Sequence, residues 1–220
     1  MKMIRYLKPK DCRIKSSFYG FAKGVSLNTI ISTPLEEYLL NEKILIQSQR
    51  LHVRTWKQSD LDALYYVMSQ PRTHLYTQKE PWSREYTQSW LEWHLDHRIG
   101  WQGGTFNCPL ILRATDQLIG DVGLNPFLKD GHIPEIEWQI GPEHWGKGCA
   151  TEIGCAMLAY GFQEAKFPAI MGFTLSQHIT SRRVMEKIGM THRYDKEDPR
   201  GTKSFYRIEQ HEFSDKYGSH

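Results

Sequence analysis

Two carboxylates two positions apart, and a glycine-flanked turn just beyond them, are the parts of this sequence best suited to chemistry. Glu135 and Glu137 stand in the run Glu135-Ile136-Glu137-Trp138-Gln139-Ile140. Period-two alternation puts Glu135, Glu137 and Gln139 on one face of a strand and Ile136, Trp138 and Ile140 on the other. Carboxylates on such a face can take a proton from a nucleophile, directly or through one water; the alternative is that both simply face solvent. Downstream lies Trp145-Gly146-Lys147-Gly148-Cys149-Ala150-Thr151-Glu152. Gly146 and Gly148 let the backbone turn tightly and approach a ligand closely. The helical run that follows points unpaired N–H groups and a positive dipole end at the turn, which makes an anion site suited to a pyrophosphate, with Lys147 adding charge. The spacing is neither a dinucleotide fingerprint nor a P-loop. Cys149 sits beside a helix N-terminus, a place that lowers a thiol pKa, but no His–Asp arrangement accompanies it, so it is not expected to act as a nucleophile.

These residues need elements to hold them. Residues Ile44–Arg54 have β-prone character. Ser59 is placed to cap a helix carrying Leu61, Leu64, Tyr65 and Met68 on one face, and Ser83 a second helix with Trp90, Leu91, Leu95 and Ile99 inward and Gly100 at its end. Asn107–Ala114 and Leu118–Asn125 read as a hairpin around Thr115-Asp116-Gln117. Glu135–Ile140 is a third strand, Ala150–Ala165 a long helix ended by Pro168, and Ala169–Leu175 a buried strand. Thr180–Ile188 is a helix closed by Gly189, and Met190–Tyr194 and Ser204–Ile208 are strands around a loop. This order describes a mixed α/β sandwich about one twisted sheet. Residues 1–44 differ: they are basic and poorly periodic, with Thr33-Pro34-Leu35-Glu36 as a possible helix start. The expected division is therefore a basic arm over 1–44 and a single domain over 45–220.

Composition narrows the function classes. The 220 residues are 40% hydrophobic and 24% charged, enough for one sizeable core. A net charge of +3 is too small to imply a nucleic-acid partner. No stretch approaches the length of a membrane span. Cys12, Cys108, Cys149 and Cys155 have spacings that suit neither zinc nor a disulfide framework, so no metal is expected and the reducing cytoplasm is the expected location.

The run from Glu135 to Glu152 closely resembles the GNAT acetyltransferase superfamily, and within it the branch of the ribosomal-protein N-terminal (alanine/serine) acetyltransferases. Ser181-Arg-Arg-Val-Met-Glu-Lys-Ile-Gly-Met190 is similar to that branch's second signature, Phe205-Tyr206-Arg207-Ile208 to its last strand, and Arg50-Leu51-His52-Val53-Arg54 with Ser59-Asp60 to its opening. The resemblance covers residues 45–212. It implies the GNAT fold: a mixed central sheet flanked by helices, with acetyl-CoA held between two splayed parallel strands, here Glu135–Ile140 and Ala169–Leu175.

The resemblance also implies roles. The donor would be bound by Ile140, Trp145, Gly146, Lys147, Gly148, Cys149, Ala150, Thr151 and Ser181, mostly through backbone N–H groups. A backbone N–H on the strand ending at Ile140 would serve the oxyanion, and Ser181 would protonate or orient the leaving thiolate. His178 stands where the family has Asn, three residues before that serine. Met185 stands where many members have a general-acid Tyr, so that role is moved or unnecessary. Glu135 or Glu137 would be the base; Tyr76 and Trp82 would shape the acceptor pocket, and Asp198 could bind a cationic acceptor. The expected function is acetyl transfer from acetyl-CoA to a primary amine, a peptide N-terminus or a small molecule, by direct attack in a ternary complex, in a monomer or homodimer. The alternative, motivated by His178 and Met185, is a non-catalytic acyl-CoA-binding module acting through protein contacts.

Overall fold

The computed structural model describes residues 44–77, 80–96, 106–125 and 133–217. The basic arm, its possible helix, Ile99 and Gly100 lie outside the described residues.

Eight strands form one sheet in the order β1-β2-β3-β4-β5-β6-β8-β7. They are β1 (Ile44–Gln47), β2 (Leu51–Arg54), β3 (Asn107–Leu112), β4 (Gln117–Asn125), β5 (Glu135–Ile140), β6 (Ala169–Leu175), β7 (Thr191–Lys196) and β8 (Lys203–Glu209). All neighbours are antiparallel except β5 and β6. The helices are α1 (Leu61–Met68), α2 (Arg84–Asp96), α3 (Cys149–Gln163), α4 (Ile179–Lys187) and α5 (Gln210–Tyr217).

Each face of the sheet has its own core. One is built on α3, whose residues from Glu152 to Phe162 are all buried against Leu110, Val122, Leu124, Ile136, Ile170 and Ile208. A helix apolar on nearly all sides must be covered on all sides. The other packs α1 and α2 over Ile111 and Leu118, with Leu64, Val67, Met68 and Leu91 at its centre.

Local details depart from the sequence in instructive ways. The β-prone stretch 44–54 is a hairpin rather than one strand, because Ser48 turns the chain: its N–H donates to the Leu51 carbonyl and its hydroxyl oxygen accepts from the Leu51 N–H. α1 begins after Asp60 rather than at Ser59. The Asp60 carboxylate accepts from the Lys57 N–H at 2.9 Å and takes both Arg54 Nη groups at 2.7 Å, a buried bidentate pair that outcompetes an exposed serine. Ser83 does cap α2, accepting from the Tyr86 N–H at 3.1 Å. α5 was not expected from sequence; Phe213 alone of its residues is buried, so its apolar pattern is too thin to read. Cys108 and Cys149 are thiols. No helix among the described residues is long and apolar enough to cross a membrane.

Candidate active site

β5 and β6 touch at one end and part at the other. Glu135 is opposite Met171, and the Met171 N–H reaches the Pro134 carbonyl at 2.8 Å. Beyond that point no pair joins the two strands, although β5 stays paired with β4 as far as Gly120 opposite Ile140, and β6 with β8 along its whole length. Two parallel strands splayed in this way leave backbone groups of β5 facing a gap.

The glycine turn closes the wide end of the gap. Gly146 and Gly148 have φ of 72° and 79°, the left-handed region in which a side chain is strained. A Cβ on Gly146 would meet nothing within 4 Å, and one on Gly148 only the Arg50 Nη2 at 3.5 Å, so the turn has open space in front of it. Among the described residues, no backbone carbonyl accepts from the N–H of Gly146, Lys147 or Gly148. These donors stand at the head of α3, where its dipole adds positive potential.

The turn is braced from two sides. Trp145 Nε1 donates to the Ile140 carbonyl at 2.6 Å, tying the turn to the end of β5. Arg50 donates from Nη1 to the Lys147 carbonyl at 2.9 Å and from Nε to Glu152 Oε2 at 2.6 Å. Glu152 Oε1 also accepts from the Ser48 hydroxyl and the Arg50 N–H, each at 2.7 Å. This carboxylate is almost fully buried in the first turn of α3 and joins the β1–β2 hairpin to the glycine turn. Sequence reasoning missed Arg50, Ser48 and Glu152 as parts of the site. The signal was a charged residue in an otherwise apolar helix face, which demands a partner.

One face of the sheet carries the acids. The register places Glu135 beside Asn125, Glu137 beside Gly123 and Asn107, and Gln139 beside Asp121. Glu135, Glu137 and Gln139 thus share a face, as the alternation requires. Burial and the neighbouring Glu137 charge raise the Glu135 carboxyl to about 8, with Lys203 acting in the opposite direction. Glu137 is exposed, and its Oε1 accepts from Asn125 Nδ2 at 2.6 Å and Asn107 Nδ2 at 3.4 Å. A Cβ on Gly123 would fall 2.7 Å from Glu137 Oε1, so the glycine makes room for the carboxylate to lie across the sheet.

The remaining candidates divide. Tyr76 and His178 are brought together, ring centroids 3.8 Å apart at 12°. Burial lowers the His178 pKa to about 4, so the imidazole is neutral near pH 7. Ser181, on α4, is buried. Trp82 lies in the α1–α2 core with His74, Tyr86 and Trp90 around it. Asp198 is engaged by Lys203 at 2.9 Å and Arg200 at 3.1 Å, and these cations hold its carboxyl far below the usual carboxylate range. Cys149 is buried and its thiol pKa is raised, first by desolvation, which argues against a thiolate nucleophile. Met185 is packed in the core near Gly172 and offers no proton. Among the described residues, no group of His, Cys, Asp or Glu is arranged to hold a metal.

The residues thus build a splayed parallel pair with a glycine turn presenting N–H groups at its wide end and carboxylates at its narrow end. Residues 50–191 match the family described as "Acetyltransferase (GNAT) domain". The uncharacterized N-acetyltransferase YnaD of Bacillus subtilis is 31% identical over 145 residues, 66% of this chain and 81% of that protein. Among solved structures, a GNAT-family acetyltransferase from Bacillus anthracis superposes with a TM-score of 0.66 at 27% identity, covering 76% of this chain and 98% of that one. Spermidine N-acetyltransferase from Vibrio cholerae, solved with CoA and spermine, shares the fold at a TM-score of 0.64 and 19% identity, covering 74% and 98%. The chain belongs to the GNAT acetyltransferase family and is an acyl-CoA-dependent N-acetyltransferase.

Proposed function

We propose that the enzyme moves the acetyl group of acetyl-CoA to a primary amine by direct attack, with Glu135 as the general base. The observation that carries this reading is the Glu135 carboxyl, raised to about 8 by burial beside Glu137, at the point where β5 and β6 begin to part. An amine attacks a thioester only when neutral, and an alkyl amine has a pKa near 10.4. A carboxylate with a proton affinity matched to neutral pH is an effective acceptor for that proton. As the C–N bond forms, charge collects on the thioester oxygen; the Ile140 end of β5 would supply the backbone donor for it, an interaction worth about 3 kcal/mol. The C–S bond then breaks. A thiol with a pKa of about 8.5 leaves readily as thiolate, so Met185 in place of an acid is tolerable and the Ser181 hydroxyl suffices to orient or protonate the sulfur.

The donor's phosphates fit the N–H groups of the 146–148 turn, and the pantetheine arm fits the gap between β5 and β6. Similarity to the ribosomal-protein branch favours a peptide N-terminus as acceptor. The shared fold with a spermidine acetyltransferase allows a small amine. His178, neutral and stacked on Tyr76, would wall the acceptor side rather than take the proton. The test is acceptor-dependent release of CoA thiol across peptides, polyamines, amino acids and aminoglycosides. Release with no acceptor class would overturn acetyl transfer and support a binding module.

A further inference from the structure

On the acid-bearing face of the sheet, beside α2, lies a cavity of about 500 Å³. Its aromatic walls are Tyr86, Trp90 and Trp93; Asn107, Asn125 and Glu137 form its polar side. Trp90 is held rigidly: it stacks on His94, also in the lining, at 3.6 Å, and meets Trp56 and Trp82 at 5.3 Å each. Trp93 and Tyr86 are 40% and 54% exposed, so aromatic surface remains available to a ligand.

The polar side is short of donors. Asn125 Nδ2 points at Glu137 and Asn107 Nδ2 at Asp121, at 2.6 and 2.8 Å, which fixes the orientation of both amides. Their Oδ1 atoms are then left buried with no hydrogen-bond partner. Asn107 is only 6% exposed, so this is a built feature and not a mobile surface group. The described lining contains no lysine or arginine. Ring faces and the Glu137 carboxylate present negative potential to one space.

We propose that this cavity is a cation subsite of the acceptor site, binding an organic ammonium group on an apolar stem. A ring face attracts such a cation by about 0.5–2 kcal/mol, a factor of roughly 2–30 in affinity. The same space repels a carboxylate, so acceptors carrying a second positive centre are preferred over amino acids of equal length. The proposal rests on the acetyl-transfer reading for the word acceptor, but the cavity can be tested without transfer.

The test is calorimetric titration of the full-length protein with choline, which has no amine to acetylate, and with its neutral isostere 3,3-dimethylbutan-1-ol. Choline should bind at least about tenfold more tightly, and Trp93→Ala and Glu137→Gln should each weaken it by at least about threefold. Trp93 is partly exposed, so its variant is expected to fold; circular dichroism confirms this. Equal affinity for cation and isostere, no choline binding, or undiminished binding in both variants would overturn the proposal. Thiol release in the absence of choline binding would sink the subsite alone and leave acetyl transfer standing.

Discussion

The Tyr76 ring lies flat on the His178 imidazole, 3.8 Å between centroids and 12° between planes. Tyr76 follows the turn after α1 and His178 precedes α4, so the stack joins the loop at 71–77 to the segment between β6 and α4. Desolvation is the cause of the low His178 pKa, and it fits such cover. Tyr76→Ala should expose the imidazole and raise its pKa from about 4 toward the ordinary 6.5, read by NMR titration of the ring protons. A pKa unmoved by the substitution would assign the burial to other groups.

Glu152 is the hinge pin between the β1–β2 hairpin and the donor turn. Glu152→Ala would leave the Arg50 guanidinium without its anion and the Ser48 hydroxyl and Arg50 N–H without their acceptor. Breaking a buried pair costs about 3–5 kcal/mol; Arg50 keeps some access to water, so the low end is expected. Denaturant unfolding measures it, and acetyl-CoA affinity should fall as well because Arg50 holds the Lys147 carbonyl. A loss below about 1 kcal/mol would show the network to be incidental.

The donor turn can be tested by thermal shift. Acetyl-CoA at about 100 times its Kd should stabilise the wild type by about 2.7 kcal/mol. Gly148→Val places a branched side chain at a φ of 79° and in front of the N–H groups, and should abolish the shift. Gly146→Ala supplies a milder control, since its Cβ meets no atom within 4 Å and the fold accepts it at a cost of about 1–2 kcal/mol. An undiminished shift in the valine variant would move the donor elsewhere.

Glu135 should burden stability increasingly as pH rises from 4.5 to about 8. Its folded pKa, about 8, lies above the ordinary 4.5, so folding takes up a proton. The stabilisation this gives is complete below pH 4.5 and is lost as pH rises through 8. Glu135→Gln stays neutral throughout. The Tm of the variant should therefore equal the wild type's near pH 4.5 and exceed it at pH 8.5. A Tm difference independent of pH would mean that the carboxyl is solvated.

How much of this was legible in the sequence follows from where each signal resides. The Glu135–Ile140 and Ala169–Leu175 strands were read at their observed bounds, because alternation, Gly and Pro are local. The shared face of Glu135 and Glu137 was likewise local. The role of Glu152 was not, since its partners Ser48 and Arg50 are about a hundred positions away. Nor was the cation cavity: it needs the β3–β4–β5 register to bring Asn107 and Asn125 to Glu137. The pairing of Asp198 with Arg200 and Lys203 was not legible either, because it depends on how the loop closes. The stacking of Tyr76 on His178 joins two residues whose separate positions were suspected and whose contact no spacing encodes.

The central claim, that Glu135 accepts the amine proton, is tested most directly by the pH dependence of kcat/KM for Glu135→Gln beside the wild type. The wild-type rate should rise through about pH 8 as the carboxyl ionises. Near pH 7.5 the variant should be slower by about 10²–10⁴-fold with acetyl-CoA affinity unchanged. The deficit should shrink as pH approaches the amine's own pKa, where no base is needed. Full activity in Glu135→Gln at every pH would contradict the account.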